Sequence, residues 1–212
     1  LQYNTTGSHN QSMGYSALRC NTTGEYNTAL GHQALYTSLS GDNNFAAGQQ
    51  ALYGNWGGCY NTGIGCGALK ANTTGCDNNA LGLNALRYNT TGGCNTAIGH
   101  DALFNSLSGD HNFAAGCVAL YSNWGGCDNT AIGFFALYSN TTGTENAAIG
   151  RTTLHKNISG AYNNAIGTQA LCSNIGGCYN TAMGNQALYG NTYGCDNVGI
   201  GLHALICNTT GS

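Results

Sequence analysis

The chain has 212 residues, of which only 6% are charged; five Lys and Arg stand against eight Asp and Glu, for a formal net charge of -3. Arg19, Lys70, Arg87, Arg151 and Lys156 are scattered along the sequence, which argues against nucleic acid as a partner, because phosphate binding needs clustered cations. No apolar run approaches the roughly 20 residues that cross a bilayer, and regularly placed Ile and Leu argue for an ordered chain despite the low charge.

Glycine recurs every 17 residues from Gly7 through Gly24 and Gly41 to Gly211, and a second register runs from Gly14 through Gly31 to Gly201. The consensus is N-T-T-G-x-x-N-T-A-I-G-x-x-A-L-x-x. A fixed period of this length marks a solenoid in which each repeat buries its interior only against its neighbours. Breakers spaced this closely would cost a helix about 1 kcal/mol each, so short strands and glycine turns are the better reading. The predicted fold is all-β: a single array over residues 1–212, built as a β-solenoid of twelve 17-residue coils. At about 4.8 Å per coil this would be a rod about 58 Å long.

Counting each repeat from its Asn-Thr-Thr asparagine, the first element is a turn. Asn4, Asn21, Asn72, Asn89, Asn140, Asn157 and Asn208 head Asn-x-Thr/Ser sequons in this register, and glycosylation acceptors belong on exposed loops of secreted proteins. The sequence therefore predicts a row of N-glycans that supplies the solubility charge does not, although an Asn-Thr-Thr-Gly turn creates sequons automatically. Position seven is asparagine in every complete repeat, from Asn10 to Asn197. Stacked amides can bond each to the next in a ladder, or the residue is there for its turn conformation. An eighth sequon, at Asn10, falls on the ladder and is expected to stay bare.

A strand follows over positions eight to ten. Positions eight and ten exchange volume, as in Thr28 with Leu30 against Phe45 with Ala47, and Thr130 with Ile132 against Phe113 with Ala115. Residues two apart share a face, so both are expected in one close-packed space. The ninth residue is always small, from Ser12 and Ala29 to Gly199, and is expected to face the other way, against a neighbouring chain or within the coil. A second strand is anchored by Leu18, Leu35, Leu52 and their equivalents to Leu205. Tyr36 with Tyr53, and Phe104 with Tyr121 and Tyr138, share one register and predict stacked aromatics.

Eleven cysteines suggest disulfides. Cys59 with Cys76, and Cys178 with Cys195, lie one coil apart in one register and are the best pairs by Cα separation. The histidines fall in four registers and never stack in adjacent coils, and no zinc spacing occurs. The sequence thus predicts no enzyme, no catalytic residue, no metal and no cofactor beyond covalent N-glycans.

Residues 36–69 and 104–137 match at an offset of four repeats, including Ser-Leu-Ser-Gly-Asp at 38–42 and 106–110. Leu1 starts and Ser212 ends within a repeat, without the polar caps solenoids carry. The expectation is a segment or subunit of a longer fibre, partnered by copies of itself end to end and side by side.

N-T-A-I-G followed by x-x-A-L resembles the head repeats of trimeric autotransporter adhesins, and is similar to repeats of tail-fibre-like surface proteins. That resemblance implies a left-handed parallel β-roll in a three-chain bundle. The present coil is longer, with the extra length around Asn-Thr-Thr, and it carries many cysteines. The functional expectation is a structural subunit of an extracellular or cell-surface, N-glycosylated fibre. The alternative is an adhesin head or stalk that binds a host or matrix ligand. An ice-binding face is disfavoured because Phe45, Asn79 and Phe113 interrupt the threonine register.

Overall fold

A computed structural model describes residues 1–211, which divide into two compact units, Leu1–Ser108 and a second that begins at Gly109. Each unit is a β-solenoid with one three-residue strand per coil. In the first, β1 (Gln11–Met13), β2 (Thr28–Leu30), β3 (Phe45–Ala47), β4 (Thr62–Ile64), β5 (Asn79–Leu81) and β6 (Thr96–Ile98) pair in parallel in chain order. In the second, β7 (Phe113–Ala115), β8 (Thr130–Ile132), β9 (Ala147–Ile149), β10 (Asn164–Ile166), β11 (Thr181–Met183) and β12 (Val198–Ile200) do the same. Every paired residue meets its counterpart one repeat on, as Thr28 meets Phe45 and Ala29 meets Ala46. The predicted second strand around the leucines is instead a turn whose N–H groups bond the next coil, as Leu18 N–H does to the Ala34 carbonyl at 3.0 Å.

The inside and the outside of the strand are the reverse of the expectation. Ala29, Ala46, Ala97, Ala131 and Ala182 at position nine are fully buried, whereas Leu30, Ile98, Ile132 and Ile166 at position ten are about 40% exposed. The reason is the thinness of the coil. A Cβ added to Gly63 would lie 3.3 Å from Leu52 Cγ and 3.3 Å from the Ala68 carbonyl, so the interior accepts only a small residue opposite its leucine. The close approach signalled by the small stripe lies within the solenoid.

The interior of a coil consists of the leucine, two alanines and two asparagines. Position seven forms the expected ladder: Asn44 N–H and Nδ2 both donate to Asn27 Oδ1, at 2.9 and 3.1 Å, and Nδ2 also donates to the Gly58 carbonyl at 2.8 Å. The pattern repeats at Asn61, Asn129, Asn163 and Asn180. A second ladder, unforeseen in the sequence, uses the Asn-Thr-Thr asparagine. Asn72 Nδ2 donates to Asn55 Oδ1 at 2.7 Å and to the Gly75 carbonyl at 2.8 Å. It breaks where serine replaces asparagine. Next to Ser38 and Ser106 the buried Asn21 Oδ1 and Asn89 Oδ1 lack a partner, as do both serine hydroxyls.

The turns require left-handed backbone at three places per coil besides the glycines. Leu18 has φ 48° and Leu188 φ 52°, with every equivalent leucine alike. A left-handed residue costs roughly 1–2 kcal/mol, while burying a leucine returns about 1.5–3 kcal/mol, so the position holds. Glycine is required at Gly31, where φ is +134° and a Cβ would sit 2.7 Å from the Gly48 carbonyl oxygen. Val118 gains no such burial, being half-buried at φ 52° with a branched Cβ.

Three substitutions at these positions are read by thermal melting. Val118→Asn, supplying the residue type that tolerates this backbone, should stabilise the chain by about 1 kcal/mol. Ser38→Asn should close the second ladder and stabilise the chain by about 1–3 kcal/mol for satisfied buried groups, with a higher melting temperature. Asn61→Ala should lower stability by about 3 kcal/mol or more, because it orphans groups in two neighbouring coils.

Candidate functional site

The sequon asparagines are structural. Asn21, Asn72, Asn89, Asn140 and Asn157 are fully buried in the second ladder. Each Nδ2, the atom that would carry a sugar, donates both to an asparagine Oδ1 one coil away and to a glycine carbonyl, as Asn140 does to Asn123 at 2.9 Å and Gly143 at 2.9 Å. Asn4 and Asn208 belong to the same ladder and bond the Gly7 and Gly211 carbonyls. A glycan on any of the seven would replace a proton that the ladder uses, because the turn points its threonines outward and its asparagine inward. Asn10 lies on the first ladder as expected, donating to the Gly24 carbonyl at 2.7 Å.

The structure holds no disulfide at the expected cysteine pairs. Cys59 and Cys76 are register neighbours, and so are Cys178 and Cys195, but all four are thiols. Cys59 N–H donates to Cys76 Sγ and Cys178 N–H to Cys195 Sγ, each at 3.2 Å. In-register stacking keeps Cα–Cβ vectors parallel, so the Cβ separation equals the strand spacing of about 4.8 Å. A disulfide needs a Cβ separation of about 3.5–4.5 Å. Burial pushes the Cys59 thiol up, which lowers its thiolate fraction and its reactivity.

Among the described residues no three His, Cys, Asp or Glu side chains gather as a metal would need. Two of the expected aromatic stacks are present, Tyr36 on Tyr53 at 5.1 Å and 4° and Tyr121 on Tyr138 at 5.1 Å and 13°, with His155 continuing from Tyr138 at 5.3 Å; Phe104 meets Tyr88 edge-on at 5.0 Å. Burial, then the Lys156 charge, pulls the His155 pKa down.

Two surfaces remain. The outward face of each sheet is formed by positions eight and ten, which hold no charged residue in any coil. In the first unit Leu30, Ile64, Leu81 and Ile98 line it, and in the second Ile132, Ile149, Ile166 and Met183, all between 36% and 49% exposed. Phe45 and Phe113 lie in the same face beside Ala47 and Ala115, so summed side-chain volume is held nearly constant along it.

The second surface is a corner made by positions sixteen and seventeen. Linear order hides a segregation of charge: Arg19, Lys70, Arg87 and Lys156 all fall in these two registers, whereas Glu25, Asp42, Asp77, Asp110, Asp128, Glu145 and Asp196 all fall in positions five and six. On the basic corner of the first unit lies a groove of about 440 Å³. It is lined by Thr37, Gly54, Ala71 and Tyr88 of position seventeen, by Tyr53, Lys70 and Arg87 of position sixteen, and by Trp56 and Thr73 of position two. Arg87 is held in place, its Nη1 donating to Asn84 Oδ1 at 2.7 Å and its Cζ lying 5.5 Å from the Tyr88 ring centre. Trp56 is 57% exposed. The signal was present in the register: Gly54 and Ala71 stand where neighbouring coils carry Thr37 and Tyr88.

No helix among the described residues is long and apolar enough to cross a membrane. Alkylation of the denatured, never-reduced chain should label Cys59, Cys76, Cys178 and Cys195, as peptide mapping by mass spectrometry would record; crosslinked peptides at these positions would show the opposite. No family model, no curated protein and no solved structure matches the chain.

Proposed function

We propose that this chain is a structural protein, a β-solenoid that packs side by side on copies of itself to build a fibre. The observation that carries the reading is the charge-free outward sheet face, with its row of exposed Leu, Ile and Met. A face exposed only to water has no reason to hold Phe45 plus Ala47 to the combined volume of Thr28 plus Leu30. A face that must lie flat against another surface does. A second copy presents the same coil spacing, so its rows intermesh without mismatch, and apolar burial supplies the attraction. An extracellular fibre rested on sugars and disulfides; with the sequons in the ladder and the cysteines as thiols, the structural role stands on the sheet face and the ladders.

Side-by-side association is measured by light scattering and electron microscopy of the purified chain over a range of concentrations. The wild type should form concentration-dependent laterally associated assemblies. Ile64→Lys with Ile149→Lys, on the outward face of each unit, should disperse them while leaving the melting curve cooperative. A wild type that stays monomeric at high concentration, or forms closed trimers indifferent to these two lysines, would overturn the proposal.

A further inference from the structure

We infer that the basic-corner groove of the first unit binds an acidic saccharide. Trp56 and Tyr88 present exposed rings at the groove, 57% and 41% accessible, and Tyr53 also lines it. Flat, amphipathic rings of this kind offer an apolar platform to the C–H face of a pyranose while leaving its hydroxyls wet. Lys70 and Arg87 add two cations to its lining. No carboxylate occurs at positions sixteen to three of any coil, so nothing on this corner competes for them. The nearest carboxylate connection runs through Asn84, which accepts from Arg87 and donates to Asp101 Oδ1 at 3.1 Å.

The guanidinium is positioned before any ligand arrives. Its Nη1 bond to Asn84 and its place over Tyr88 fix the guanidinium; with Nε buried, the terminal N–H groups are the ones that meet carboxylate or sulfate, and their fixed position reduces the ordering cost of binding. The volume of about 440 Å³ lies within the range of small-ligand sites. Single-stranded nucleic acid, which also uses rings and cations, fits less well. It carries a charge on every nucleotide and needs a cation track, whereas within the first unit the only other cation of this corner is Arg19, three coils from Lys70. A saccharide with spaced acidic groups matches an isolated pair.

The test is calorimetric titration of the full chain with four probes: an oligogalacturonate, a sulfated heparin oligosaccharide, a neutral cello-oligosaccharide and an oligodeoxythymidine. At least one acidic saccharide should bind with a Kd below about 1 mM, weaken with added salt, and exceed both the neutral sugar and the oligonucleotide. Which of the two acidic probes binds distinguishes carboxylate from sulfate. Trp56→Ala and the double variant Lys70→Gln with Arg87→Gln should each lower affinity about tenfold or more, with melting temperatures reported alongside. Trp124→Ala, the equivalent tryptophan of the second unit, should leave it unchanged. The inference fails if neither acidic probe binds at millimolar concentration, if the neutral sugar or oligonucleotide binds as tightly, or if folded groove variants retain wild-type affinity. Because the groove and the outward sheet face use different registers, the outcome is independent of fibre formation.

Discussion

The amide of asparagine, stacked on its own copy one coil away, is the interaction on which the rest of this structure depends. Leucine and alanine fill a coil too thin to bury much apolar area, and ordering its 17 residues costs about 1–2 kcal/mol for each backbone. Asparagine solves a problem that another apolar residue could not. It carries donors and an acceptor on one planar group, so it satisfies turn carbonyls within the interior and also ties one coil to the next. Asn27 Oδ1 accepts from both the backbone and the side chain of Asn44. A coil shifted from its register would forfeit these bonds while burying the same groups, which is the costly alternative. Register, polar satisfaction and cooperativity between coils are therefore one property within each unit.

The same ladder decides what the repeat can and cannot carry. Because the first asparagine of Asn-Thr-Thr-Gly is held inside by its neighbours, its sequon is a consequence of turn chemistry. Asn157 Nδ2 lies 2.8 Å from Asn140 Oδ1 and 2.9 Å from the Gly160 carbonyl. Strict stacking likewise holds equivalent cysteines at strand spacing, where the backbone N–H of one donates to the sulfur of the next. Features that in a loop-rich secreted domain would mean sugars and disulfides take another meaning when every residue has a copy directly above it.

Much of the architecture was legible in the sequence. The period, the parallel in-register strands at positions eight to ten and the ladder at position seven follow from glycine spacing and an asparagine in every repeat. The face of the strand did not. Alternation separates two sides but does not say which is inside, and ranking by hydrophobicity points the wrong way: Ile98 is 42% exposed while Ala97 is fully buried. Steric room, set by Leu86 and its equivalents across a narrow interior, overrides apolarity. The second ladder was hidden behind a familiar sequon, and the groove behind linear order, since Trp56, Lys70 and Arg87 meet only when coils are superposed.

In a structure made of one repeating unit, departures from the consensus are the informative positions. Some are tolerated breaks, such as Ser38, whose hydroxyl cannot span the gap that asparagine bridges. Others change the surface without touching the ladders. Gly54 and Ala71 remove side chains from an outward register, Trp56 replaces a turn threonine, and Lys70 and Arg87 take sites where Tyr36 and Tyr53 stack. None of these five alters an interior residue, so the scaffold carries them at little cost. Their coincidence within neighbouring coils turns a uniform ridge into a bounded concavity with a charge of one sign. A solenoid whose interior is fixed by stacked amides is thus free to vary its exterior coil by coil, and a local function can be written onto it without rebuilding the fold.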